Sequence, residues 1–242
     1  NDGIVGYGIR GTTEAGFGLA VENGLDMKLF VHASDVAFNK PVEDARWVHS
    51  CILRDTPSGL IRTYLNGKLI TSKSAGLNTA ASSKLCIGSR LSTTTTTCSA
   101  DFYFAGSVAD VRVYNRSLSE GEISELAQDA SSDTAITGSG FNNGAAGLLA
   151  HYEFNVSASL SPSGPIGGNL AAPGSQPIGV HGDAGGAFYY DGSTNNGSAG
   201  YGLPSGNSAR TLCTWIKPQI SQSNRVLVAH GTAALNRGFG IS

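Results

Sequence analysis

Apolar and polar residues alternate in short stretches along most of the chain. Residues 25–32 read as one strand and 47–54 as a second. Between 60 and 70, two such stretches flank Asn66-Gly67, the dipeptide best suited to the positive φ angles of a two-residue turn, which predicts a hairpin. Residues 84–88 predict a strand ahead of a polar loop carrying Thr93 to Thr97, and 108–114 predict another. One helix interrupts the series. Ser119 is placed to cap it, Glu122 completes a capping box, and Leu118 and Ile123 hold the positions of a hydrophobic staple. Residues 127–147, mostly Ser, Asp, Gly and Asn without a period, predict a linker. Strand text resumes at 148–154, 186–190, 211–217 and 225–230, separated by Gly, Pro and Ser.

Composition supports this reading. The chain has 242 residues with 33 Gly, only 14% charged residues and 40% hydrophobic ones. Glycine weakens helix interiors, whereas short strands with many turns accommodate it, and the apolar share suffices for a β core. A net charge of −2 argues against nucleic acid or an anionic membrane surface as partner. No apolar run is long enough to span a bilayer, and the first residues do not read as a signal peptide, so a mature or internal piece of a longer protein is expected. Asn115, Asn155 and Asn196 each begin a glycosylation sequon, and the four cysteines lack metal-type CxxC spacing. Together these point to an extracellular or cell-surface setting. Four cysteines allow three pairings, and spacing does not choose among them.

The two ends of the chain repeat each other. The stretch NDGIVGYG at 1–8 lines up with NRVLVAHG at 224–231, and GFGLA at 16–20 lines up with GFGIS at 238–242 after one gap. A strand and hairpin repeated this way imply slightly more than one period of a tandem array.

Catalytic signatures are missing. Gly6 to Gly11 fits GxGxxG on paper, but residues 12–18 read as strand and turn, with no helix N-terminus to hold a pyrophosphate. No strand carries carboxylates on alternate residues, where an acid and a nucleophile could flank one glycosidic bond, and Glu120, Glu122 and Glu125 belong to the capped helix. Nor is there a nucleophile elbow or an H-E-x-x-H zinc motif. The chain is therefore expected not to be an enzyme. Trp47 and Trp215 begin or interrupt apolar stretches and are expected in the core.

Several motifs carry a family likeness: WVHSCILRD at 47–55, YLNG at 64–67, LCIG at 85–88 and the run FAGSVADVRVYNRSLSEGEI at 104–123. To these add LAHYEF at 149–154, GGAFYYDG at 185–192 and LCTWIKP at 212–218. Together they resemble the laminin-G-like members of the concanavalin A-like jelly rolls, a family that includes the pentraxins. The resemblance implies an all-β antiparallel sandwich with one short C-terminal helix per repeat. The family's opening part here comes second. Residues 1–128 would complete one jelly roll, 129–146 link, and 147–242 begin the next, unless both halves close as one permuted domain. The resemblance also implies that Cys213 pairs with a Cys51-type cysteine, Cys51 itself in a closed permuted domain or its equivalent in the following segment of an array, which leaves Cys86 and Cys98 as a local pair. It further implies that residues 149–154 can pair with 108–114, within a domain or by exchange between copies. Calcium is the one cofactor it suggests, through Asp191 and Asp110, although the family's Asp-Asp reads Ala109-Asp110 here.

The function expected is a structural or adhesive repeat module that builds an array or filament through copy-to-copy β contacts and disulfides. Its partners would be other copies of the repeat. The alternatives are a lectin-like module binding a glycan or an extracellular protein, with or without calcium, and an accessory domain of a secreted hydrolase.

Overall fold

The computed structural model describes residues 2–8, 16–22, 26–30, 36–41, 45–79, 84–91, 98–128, 146–152, 159–160, 170–171, 186–193, 197–199 and 202–219. The strands are β1 (Asp2–Gly8), β2 (Gly16–Glu22), β3 (Asp26–Phe30), β4 (Val36–Pro41), β5 (Val48–Asp55), β6 (Leu60–Leu65), β7 (Lys68–Ser74), β8 (Leu85–Ile87), β9 (Ser89–Leu91), β10 (Cys98–Tyr103) and β11 (Ala105–Tyr114). Helix α1 (Glu120–Gln128) follows, so the helix extends one residue beyond the expected start of the linker. Then come β12 (Leu148–Tyr152), β13 (Ser159–Leu160), β14 (Leu170–Ala171), β15 (Phe188–Asp191), β16 (Gly197–Ala199) and β17 (Arg210–Pro218). The expected strand at 225–230 and the second copy of the repeat lie outside the described residues.

Two sheets face each other. The first runs β16-β8-β1-β2-β3-β4, with β10 joined to β1 and β9 to β10; the second runs β12-β11-β17-β5-β6-β7, with β15 also on β11. All described ladders are antiparallel except β1 with β10. Ile4, Phe17, Leu19, Leu85 and Ile87 of the first sheet pack on Val48, Ile52, Ile61, Val108, Val111, Leu212 and Ile216 of the second. Interdigitation of two inner faces is how an antiparallel sandwich makes its core. Among the described residues no helix is long and apolar enough to cross a membrane.

The second sheet draws on both ends of the sequence. Strand β17 lies between β5 and β11, pairing Cys213 with Cys51 on one side and with Arg112 on the other. On the far side of β11, β12 takes Val111 to Tyr114 and β15 takes Ala105 to Val108. Strands β5 and β17 are buried almost throughout because both of their faces are covered. Ile52 and Leu212 point to the core, while Cys51, Leu53, Tyr64, Tyr114 and Cys213 pack beneath Leu118, Ile123 and Leu126 of the helix segment.

That helix is anchored as its sequence predicts. The Ser119 N–H donates to Glu122 Oε2 at 2.8 Å, and the Glu122 N–H donates to Ser119 Oγ at 3.2 Å. Leu118 and Ile123 are both buried against the sheet. The β6–β7 turn has φ of 47° at Asn66 and 76° at Gly67, matching the Asn-Gly signal. At Gly67 a Cβ would lie 3.0 Å from Ser124 Cα, so this glycine also lets the helix settle on the turn.

Candidate functional site

The outer face of the second sheet, beside the helix, holds the densest group of polar and reactive side chains described. Alternation along β5 puts His49 and Cys51 on this face, and the ladder places Trp215 opposite His49. The His49 and Trp215 rings are 5.1 Å apart, and Trp215 packs with Ala109, Ala187 and Trp47. Trp215 is thus in a core cluster, as expected, with Trp47 partly buried against it.

A break in the β11 ladder completes the group. The register with β17 shifts between Ala109 and Arg112, and Asp110 sits there with φ of 50°, a left-handed position that non-glycine residues seldom occupy. The bulge turns the Asp110 carboxylate toward its own strand and toward β12. Arg112 Nε donates to Asp110 Oδ1 at 2.8 Å, and the same oxygen contacts His151 Nε2. His151 stands opposite Arg112 in the β11–β12 ladder, so its contacts with Asp110 and Arg112 tie the two strands together. Burial pushes the Asp110 carboxyl up, but Arg112 and His151 outweigh it and hold the group well below the usual carboxylate range.

His49 behaves differently. Burial lowers its pKa to about 4, against an opposing pull from Asp110, so the ring is neutral at physiological pH. Its Nε2 lies 3.7 Å from Cys51 Sγ. His49, Cys51 and Cys213 form a compact set of metal-type ligands on paper. Both sulfurs are committed to the Cys51–Cys213 disulfide, and a disulfide offers no thiolate to a metal. Trp215 Nε1 is buried here without a hydrogen-bond partner.

The candidate residues from the sequence fall in separate places. Cys51 is bonded to Cys213, and Cys86 to Cys98, the two pairings that the resemblance implied. Asp110 and Asp191 do not converge. Asp191 pairs with Ala105, five residues along β11 from Asp110, a separation on the order of 15 Å at the usual strand rise. Asp191 is exposed and its Oδ1 accepts the Ser193 N–H at 2.8 Å, an Asx turn. Calcium requires six to eight oxygens around one point, and these two carboxylates do not fit a shared ion. Asn115 is exposed after β11, whereas Asn155 and Asn196 lie outside the described residues.

Sequence reasoning missed Arg112, His49 and His151 as members of one group. Period-two alternation on β5 would have paired His49 with Cys51, but the Asp110–His151 contact depends on a ladder between distant segments. Two buried arginines were also missed. Arg210 donates to the carbonyls of Ser205, Gly206 and Ser208 and lies 5.6 Å from the centre of the Phe17 ring, while Arg54 donates to those of Gly59 and Ala75.

Comparison with known proteins adds one match and two blanks. A laminin-G family model described as "Concanavalin A-like lectin/glucanases superfamily" matches residues 3–124. Neither a curated protein nor a solved structure matches the chain.

Proposed function

This chain belongs to the concanavalin A-like lectin/glucanase superfamily, and from that premise we propose that it is a non-catalytic, extracellular structural or adhesive module joining copies of itself into an array. The observation that carries this reading is the source of the second sheet's strands. β17, β12 and β15 come from beyond the family match, yet they complete the sheet built by β5, β6, β7 and β11. Because the sequence at 1–20 recurs at 224–242, as in a tandem array, the same strands can complete the sheet of an adjoining copy. Two disulfides favour an oxidising compartment. Of the outer-face group, Cys51 and Cys213 are bonded to each other and offer no thiolate nucleophile, which is in keeping with a non-catalytic role.

The test is peptide mapping under non-reducing conditions, with intact mass measured with and without reductant. Cys213 bonded to Cys51 of another copy, in material of high mass, supports the array. The array requires an exchange of the intrachain bond of this structure for the same bond between copies, so a discrete monomer that keeps the bond within its own chain overturns it.

That outcome would favour a binding module. A glycan array would test that second reading.

A further inference from the structure

The sheet itself, and not only the bond between the two sulfurs, gathers His49, Cys51 and Cys213. Cys51 and Cys213 stand directly opposite each other on β5 and β17, with Cα atoms 4.2 Å apart. His49 lies two residues before Cys51, so alternation returns its ring to the same face. One ligand atom from each of the three residues lies within 4.8 Å of the other two, and His49 Nε2 is 3.7 Å from Cys51 Sγ. A tetrahedral ion about 2.3 Å from sulfur and about 2.0 Å from nitrogen keeps its ligand atoms about 3.5 to 3.8 Å apart. The imidazole therefore already stands at ligand spacing, and two sulfurs that are not bonded meet at about 3.5 to 4 Å, the ordinary contact distance.

The surroundings choose the ion. The sulfurs pack among Leu53, Tyr64, Tyr114, Leu118, Ile123 and Leu126, and all three ligand residues are buried. Two thiolates alone in such an apolar shell would be uncompensated negative charges, which burial penalises heavily. A divalent cation held by two thiolates and a neutral imidazole has no net charge. Sulfur and nitrogen donors favour a zinc-type ion over calcium or magnesium, and three protein ligands leave its fourth tetrahedral position to water. Cys86 and Cys98 have no such third ligand among the described residues.

We propose that His49, Cys51 and Cys213 form a zinc-type site in the chain whose Cys51–Cys213 bond has not yet formed, so that a divalent metal ion and the disulfide are alternative staples between β5 and β17. Loading releases the two thiol protons as two metal–sulfur bonds form. Oxidation by a small-molecule disulfide takes one electron from each thiolate, joins the two sulfurs, leaves two small-molecule thiolates and expels the ion. The site belongs to a single chain and stands whether or not copies form an array.

The experiment uses the full chain, reduced in denaturant by a water-soluble phosphine, which is converted to its oxide, and refolded without oxygen. Zn²⁺ should bind one per chain and, at saturation, raise the thermal midpoint of the reduced protein by about 5 °C or more. Co²⁺ in its place should give the visible bands and the sulfur-to-metal charge-transfer band of a tetrahedral thiolate site. His49→Gln should weaken Zn²⁺ binding by about tenfold or more while still forming the Cys51–Cys213 bond on oxidation. Cys86→Ser with Cys98→Ser should leave the affinity unchanged. Oxidised glutathione added to the loaded chain should release one Zn²⁺ for each Cys51–Cys213 bond formed, followed with a coloured chelator. No uptake, uptake indifferent to His49→Gln, or a reduced chain that stays unfolded in the presence of Zn²⁺ overturns the proposal. Uptake that survives Cys51→Ser with Cys213→Ser at the same affinity places the ion elsewhere and overturns it as well.

Discussion

The Cys51–Cys213 bond spans 162 residues of sequence and the Cys86–Cys98 bond spans 12. In the chain-entropy view, closing the longer loop removes about 5 kcal/mol of unfolded-state freedom and the shorter about 3 kcal/mol. Position sharpens the contrast. Cys51 and Cys213 lie on the two central strands of the second sheet, under the helix, whereas Cys86 and Cys98 fasten β8 to β10 in the first. One bond holds distant parts of the chain in a common sheet, and the other tidies a local excursion.

The largest expected effect comes from removing each bond in turn. Replacing Cys51 and Cys213 by Ala should cost about 5 kcal/mol in urea titration at pH 7, against about 3 kcal/mol for Cys86 and Cys98. Equal losses would break the comparison. Acid should act next, and on the long-range region alone. His49 has its pKa lowered from 6.5 to about 4, so the unfolded chain takes up its proton first as pH falls. Stability from the neutral ring is full above about 6.5 and is lost by about 4, to the extent of about 3 kcal/mol. Denaturant titration at pH 7 and pH 4 should show that loss, and His49→Gln should flatten it.

The smallest effect lies at the edge of the helix. Burial opposes ionisation of Glu122, but the bond from Arg116, the leading influence, and those from Ser119 lower its pKa to about 2. This contribution is present above 4.5 and fades toward pH 2. Glu122→Ala should cost about 1 kcal/mol at pH 7, seen as a shift in the urea midpoint, while leaving both disulfides intact.

Local signals were legible in the sequence and long-range ones were not. The capping box, the Asn66-Gly67 turn and the central strands carry their chemistry within a few residues, so each reads directly. Strands β4, β9 and β16 were not read because they are short or weakly alternating, and a ladder partner decides their state. The group around Asp110 stayed hidden for a related reason. Its bulge has no sequence mark, and His151 reaches it only through the register of β11 with β12.

The central place of β17 sets a timetable for synthesis. Strand β5 leaves the ribosome some 155 residues before β17, and at about 5–20 residues per second that interval is roughly eight to thirty seconds. From the completion of β11 at Tyr114 until β17 begins at Arg210, β5 and β11 are both made but lack the strand that belongs between them. A nascent chain in that state carries an unfilled sheet position, which the β17 segment of a neighbour translated slightly earlier can enter first. Spacing between ribosomes on one message thereby becomes a physical variable in whether copies close singly or join.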